Sequence, residues 1–112
     1  MQRAGGSEGD ELSAVAPGLV DMTNQVLYGD VWERDGLARR DRCLLTIAAL
    51  VAGNHHLRLE AHFRLALKSG VTVEELGEAM LHLAFYSSWP NAVAATRVLY
   101  NVVNEQKPAE AG

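Results

Sequence analysis

Helix-stopping signals recur along this chain at intervals of nearly five helical turns, and they leave little freedom in the fold. Between Ala38 and Val103, four apolar segments are separated by Gly53-Asn54, Ser69-Gly70 and Ser87-Ser88. Leu44, Leu45, Ile47, Ala48 and Val51 recur at helical spacing in the first of them. The second runs from His55 to Ser69 and stops at Gly70. Thr72 then opens Thr-Val-Glu-Glu, with Glu75 three residues on, which is the pattern of a capping box. The helix it starts would bury Leu76, Met80, Leu83 and Ala84. Pro90 opens the next, through about Val103. An earlier helix is expected from Pro17 to Tyr28, in which Leu19, Val20, Met22, Val26 and Leu27 recur at helical spacing, and Gly29 and Gly36 bracket a link containing Trp32. No convincing strand appears. Helices joined by such short loops pack as antiparallel neighbours. The expected fold is all-α, a single compact domain of about five to six helices over 15–104. Residues 1–14 are expected to be a disordered tail, being Gly-rich and acidic, and 105–112 a frayed one.

A chain of 112 residues buries a limited core alone, so self-association would help it. Its net charge of −4 gives no reason to expect nucleic acid or an anionic membrane as partner. No apolar run approaches the roughly 20 residues of a membrane span. The stretch Met1 to Asp10 lacks the apolar core of a secretory signal. The single cysteine excludes an internal disulfide and any paired-cysteine redox or zinc pattern. A cytoplasmic protein is the expectation.

The ionisable chemistry concentrates between Arg39 and Leu76. His55, Leu59, His62 and Ala66 follow at steps of four, three and four, and so share a helix face. Arg58 lies one turn before His62, and a neighbouring cation favours the neutral imidazole, ready to accept a proton. Arg58 could also grip a carboxylate with paired donors. The competing reading of His62 is a core histidine satisfied by a backbone carbonyl. Adjacent His55 and His56 point about 100° apart on a helix and lack a carboxylate or thiolate set, so no metal site is expected. His55 suits the mouth of a pocket and His56 a solvated position.

His82 has Glu78 one turn before and Tyr86 one turn after. That row could orient an imidazole through a carboxylate, or it could be an ordinary exposed helical stripe. Cys43 on an apolar face is either inert packing or, with His62 or Arg42 beside it, a nucleophile. The run Arg39, Arg40, Asp41, Arg42 is a solvated first helical turn or a sign of an anionic partner, because arginines do not suit a helix start.

Taken in order, these pieces resemble a known family. Val31-Trp32-Glu33-Arg34, Gly36-Leu37, Arg40-Asp41-Arg42 and Leu44 to Leu50 are followed by His62, Ala66-Leu67 and Gly70-Val71-Thr72. Glu74-Glu75, Glu78, His82, Ala84, Tyr86, Pro90 and Ala92 then close the pattern. Without a gap, through about Val98, this is similar to the γ-carboxymuconolactone decarboxylases. The resemblance implies an all-helical, cofactor-free domain that forms homo-trimers or hexamers, with sites near subunit interfaces. It implies that His62 is the functional histidine, and that the activity is loss of carbon dioxide from a carboxylated lactone.

A related branch, the alkylhydroperoxide reductase D type, carries a cysteine pair at the positions of His55 and Arg58 and a glutamate at that of Cys43. Its peroxidase chemistry is therefore lost here. The family's small turn reads Tyr86-Ser87-Ser88, followed by bulky Trp89, which reshapes the pocket wall.

The expected function is a cofactor-independent lyase acting on a carboxylated lactone or related oxo-acid, with His62 and His82 as catalytic residues. Arg58, Arg42, His55, Tyr86, Trp89 and Cys43 are expected around an anionic small-molecule substrate. The alternatives are a tailoring enzyme that isomerises, dehydrates or cyclises a larger apolar substrate, and a non-catalytic helical oligomer. Its setting would be aromatic catabolism or secondary metabolism.

Overall fold

The structure, a computed structural model, describes residues 6–105, with side chains from Asp10 onward. Among these residues there is no strand, and the fold is all-α. The helices are α1 (Gly6–Val15), α2 (Pro17–Met22), α3 (Arg39–Ala52), α4 (His56–Lys68), α5 (Val73–Tyr86) and α6 (Trp89–Glu105). No described helix is long and apolar enough to cross a membrane. The described residues through Arg39 form one compact unit and those from Arg40 onward a second.

The first unit departs from expectation twice. Where a disordered tail is expected through residue 14, residues 6–14 are part of α1. Glu11, Leu12 and Ala14 are good helix formers, α1 packs on α2, and the Ala16 N–H donates to the Leu12 carbonyl at 2.7 Å. Residues 1–5 and 106–112 lie outside the described residues. The expected continuous helix from Pro17 to Tyr28 is α-helical only to Met22, and Thr23–Leu27 widens into a π-helical turn. The cause is local. The Thr23 hydroxyl donates back to the Leu19 carbonyl at 2.7 Å, and the Tyr28 N–H reaches five residues back to the Thr23 carbonyl at 3.0 Å. The wider turn shifts the phase of the apolar positions at its far end, Val26 and Leu27. Of the five apolar residues in this segment Val20 is buried, while Leu19, Met22, Val26 and Leu27 are exposed. Trp32, in a 3-10 turn over Val31–Glu33, is buried and lies 5.9 Å from the Tyr28 ring.

The second unit follows the helical stops closely. In α3 the buried residues Cys43, Ile47 and Val51 fall one turn apart. The helix ends because Asn54, not Gly53, takes the left-handed conformation (φ 60), which lets the His55 N–H reach the Leu50 carbonyl at 2.8 Å. Gly70 (φ +98) does the same after α4, and the Val71 N–H bonds the Ala66 carbonyl at 3.0 Å. The capping box is complete: the Glu75 N–H donates to Thr72 Oγ1 at 3.0 Å and the Thr72 N–H to Glu75 Oε1 at 2.9 Å. Ser88 Oγ accepts from the Asn91 N–H at 3.1 Å and so caps α6.

Both α4 and α5 pack on α6, which buries Ala92, Ala95, Leu99 and Val102 along one stripe. Polar contacts hold α3 in this unit. Arg40 bonds Glu75 at 2.7 Å, and Asn91 Nδ2 donates to the Val51 carbonyl at 3.1 Å. The Cys43 thiol donates to Ser69 Oγ at 3.8 Å.

Candidate active site

His62 is the one polar residue buried in the core among the described side chains, at 7% exposure. It is positioned by the helix it sits on. Leu59, Phe63 and Ala66, at −3, +1 and +4, are fully buried, so the face that anchors α4 carries the imidazole inward with it. Burial first, and the positive charge of Arg58 second, hold His62 below the usual histidine pKa. Near neutral pH the ring is therefore uncharged, with one N–H to give and one lone pair to accept. Arg58 itself is exposed, one turn nearer the start of the helix.

The other predicted site residues come from α3, the start of α4, α5 and α6. Cys43 is fully buried on α3, against Ser69 at the end of α4. Arg42 is half-buried one residue before it. Its neighbours in the basic run have acidic partners within the chain: Arg39 with Glu33 at 2.9 Å, and Arg40 with Glu75. His55 is exposed and precedes α4. Its ring lies over Gly53, where an added Cβ would stand 2.5 Å from the ring's Cδ2, so only glycine leaves the imidazole this place. His56, expected to be solvated, is half-buried.

His82 is on the exposed side of α5. Its ring stacks on that of Tyr86, with centroids 4.6 Å apart and planes 17° apart, and no hydrogen bond joins it to Glu78 among the described residues. Of the two readings that the spacing allowed, a carboxylate-oriented imidazole and an exposed helical stripe, the described residues form the second. Trp89 is exposed and meets Phe85 edge to face at 5.5 Å. Among the described residues no three histidine, cysteine, aspartate or glutamate side chains come together as a metal site.

Sequence reasoning missed one feature. Between α5 and α6 lies an open cleft of about 460 Å³, lined by Gly77, Leu81, Trp89, Val93, Arg97 and Tyr100 among others. Of the predicted site residues only Trp89 lines it. The signal was present in the spacing of 89, 93, 97 and 100 along one helix, but it reads in isolation as a solvated stripe.

The sequence profile of the carboxymuconolactone decarboxylase family matches residues 17–101, most of the chain. The chain belongs to this family. The match takes in the π-helical turn, α3 to α5 and most of α6, with His62 well inside it. Over 85 residues the chain is 38% identical to a 4-carboxymuconolactone decarboxylase of Acinetobacter baylyi and 35% identical to a nitrosuccinic acid decarboxylase of Metarhizium robertsii. Each alignment covers 76% of this chain, and 63% and 59% of the respective relative. This member of the carboxymuconolactone decarboxylase family thus spans about three-fifths of the length of the curated relatives it matches.

Proposed function

We propose that the chain is a cofactor-independent decarboxylase acting in the cytoplasm on a carboxylated lactone or a related activated acid, with His62 handling the proton. The observation that carries this reading is the buried imidazole, kept neutral by its surroundings. The two relatives add support, since both are named for decarboxylation, one of a carboxylated lactone and one of a nitro acid. The shared chemistry is a carboxylate next to an electron-withdrawing group. The carbon–carboxylate bond breaks, carbon dioxide leaves, and the electron pair moves onto the oxygen of the lactone, oxo or nitro group. A proton then adds to carbon. A neutral imidazole suits this sequence: its N–H can stabilise the developing oxyanion, and its lone pair can take a proton from water and hand it to carbon, which returns the ring to its neutral form. Arg58 would hold a substrate carboxylate with its paired donors, and His82 would serve as the more exposed proton carrier.

The same reading makes the protein a homo-oligomer, a trimer or hexamer, with its site near a subunit boundary. Leu57 at 98% exposure, just before Arg58, and Leu19, Met22 and Leu45 are apolar side chains that association would cover.

The test is carbon dioxide release from 4-carboxymuconolactone and from nitrosuccinate, by wild type and by His62→Gln. Wild type should turn over at least one of them, and His62→Gln should be slower by roughly 10²–10⁴-fold, the range for a general acid or base. A His62→Gln variant within a few-fold of wild type, folded by circular dichroism, overturns the assignment.

A further inference from the structure

We propose that the cleft between α5 and α6, whose lining includes none of His62, Arg58 and His82, is a binding site for an apolar monocarboxylic acid. Its size lies within the range of small-molecule sites. Its walls are apolar and aromatic: Leu81, Val93, Trp89 and Tyr100 stand around a floor opened by Gly77. A Cβ built on Gly77 would meet nothing within 4 Å, so this floor is space and not packed core.

The one charged side chain in the lining is Arg97, and no carboxylate lines the cleft beside it. Arg97 makes no hydrogen bond or ion pair with any described residue. Three arginines of α3 and α4 contrast with it. Arg39, Arg40 and Arg64 each hold a glutamate.

This combination selects the occupant. A guanidinium offers a fixed fork of donors that matches one carboxylate, and one fork does not neutralise a polyphosphate. The remaining wall has apolar surface to bury and little else to offer, which asks for a hydrocarbon or aryl body. A second copy of the chain fits less well. A two-fold pairing of this face with itself would bring no carboxylate to Arg97 from either lining.

The experiment is titration calorimetry on the full chain with octanoate and, as its uncharged counterpart, octanol. Octanoate should bind saturably, one per chain, about tenfold or more tighter than octanol, as a charge-assisted bond at a partly open site implies. Arg97→Gln should remove that preference and leave octanol binding unchanged, while Arg97→Lys should keep part of it. Gly77→Leu should abolish binding of both. Leucine is also the better helix former, so the variant should fold. Equal affinity for the two probes, or an Arg97→Gln variant that keeps the preference, overturns the proposal. So does the absence of saturation at millimolar octanoate. Light scattering provides a further arm. If Gly77→Leu breaks up an oligomer and neither probe binds wild type, the cleft is an interface between copies and not an acid site.

Discussion

Replacing His62 by leucine should remove one component of the protein's acid sensitivity and leave the rest. In the folded chain the imidazole titrates below its usual range, because burial penalises the charged ring and Arg58 repels it. Unfolding returns the ring to water, where it titrates near 6.5. Below about pH 6.5 the unfolded chain therefore binds more protons at this position than the folded chain does, and stability falls as pH falls. Above that pH both states are neutral and the position adds no slope. One proton sets the limit: the loss cannot exceed about 1.4 kcal/mol per pH unit, and it levels off once the folded-state pKa is passed. For a urea dependence of about 1–2 kcal/mol per molar, that limit is roughly a 1 M drop in the unfolding midpoint per pH unit. Glu75 also titrates low, held by the Thr72 N–H and then by Arg40. Its contribution is present above the ordinary carboxylate range and lost below it, and the two proteins share it, so it cancels in their difference. The assay is urea unfolding followed by circular dichroism at about pH 7.5, 6.5 and 5.5, at one protein concentration. The wild-type midpoint should fall relative to that of His62→Leu as the solution is acidified. A difference that stays flat across this range would mean that the folded protein admits the imidazolium freely. The neutral-imidazole argument for catalysis would then fail with it.

Arg58→Gln should weaken binding of a carboxylated substrate more than it slows turnover, and should move the acid limb of the pH–rate profile upward, since one of the two causes of the His62 shift is gone. Steady-state kinetics across pH would show both effects, and a purely structural role for Arg58 would show neither. Cys43→Ser should retain the fold and activity within a few-fold. A loss of several hundred-fold with intact structure would instead make the thiol a nucleophile. Thr72→Ala should cost about 1 kcal/mol in urea unfolding at unchanged slope, since it deletes the hydroxyl that accepts the Glu75 N–H.

The second unit was legible because its signals are local. A Thr–Glu pair three apart, a glycine after α4 and a serine just before α6 each satisfy backbone groups within a few residues. His55, expected on the same face as Leu59, His62 and Ala66, precedes α4 and is exposed, but the face that those three share was legible in their spacing. The π-helical turn was not, because a threonine hydroxyl bonding back to a carbonyl leaves no periodic trace, and one widened turn misassigns each apolar residue after it. Nor was the side of α5 on which His82 would fall, since a carboxylate-oriented imidazole and an exposed helical stripe share the same spacing. The cleft needed α5 and α6 laid side by side. Arg97 is unremarkable on its own helix and informative only against Gly77 and Leu81 of the other.

The Glu75 carboxylate holds one further consequence. Oε1 is engaged three residues away, by the Thr72 N–H, and Oε2 receives Arg40 from α3. Exposed ion pairs usually contribute little, partly because two long side chains must be frozen to form them. Here one of the two is already frozen when α5 acquires its first turn, a step that needs no tertiary partner. Arg40 then meets a carboxylate whose rotamer has been chosen. The local stop-and-start signal therefore also sets where α3 docks, and lesions at Thr72 and Arg40 should couple in a double-mutant cycle rather than add.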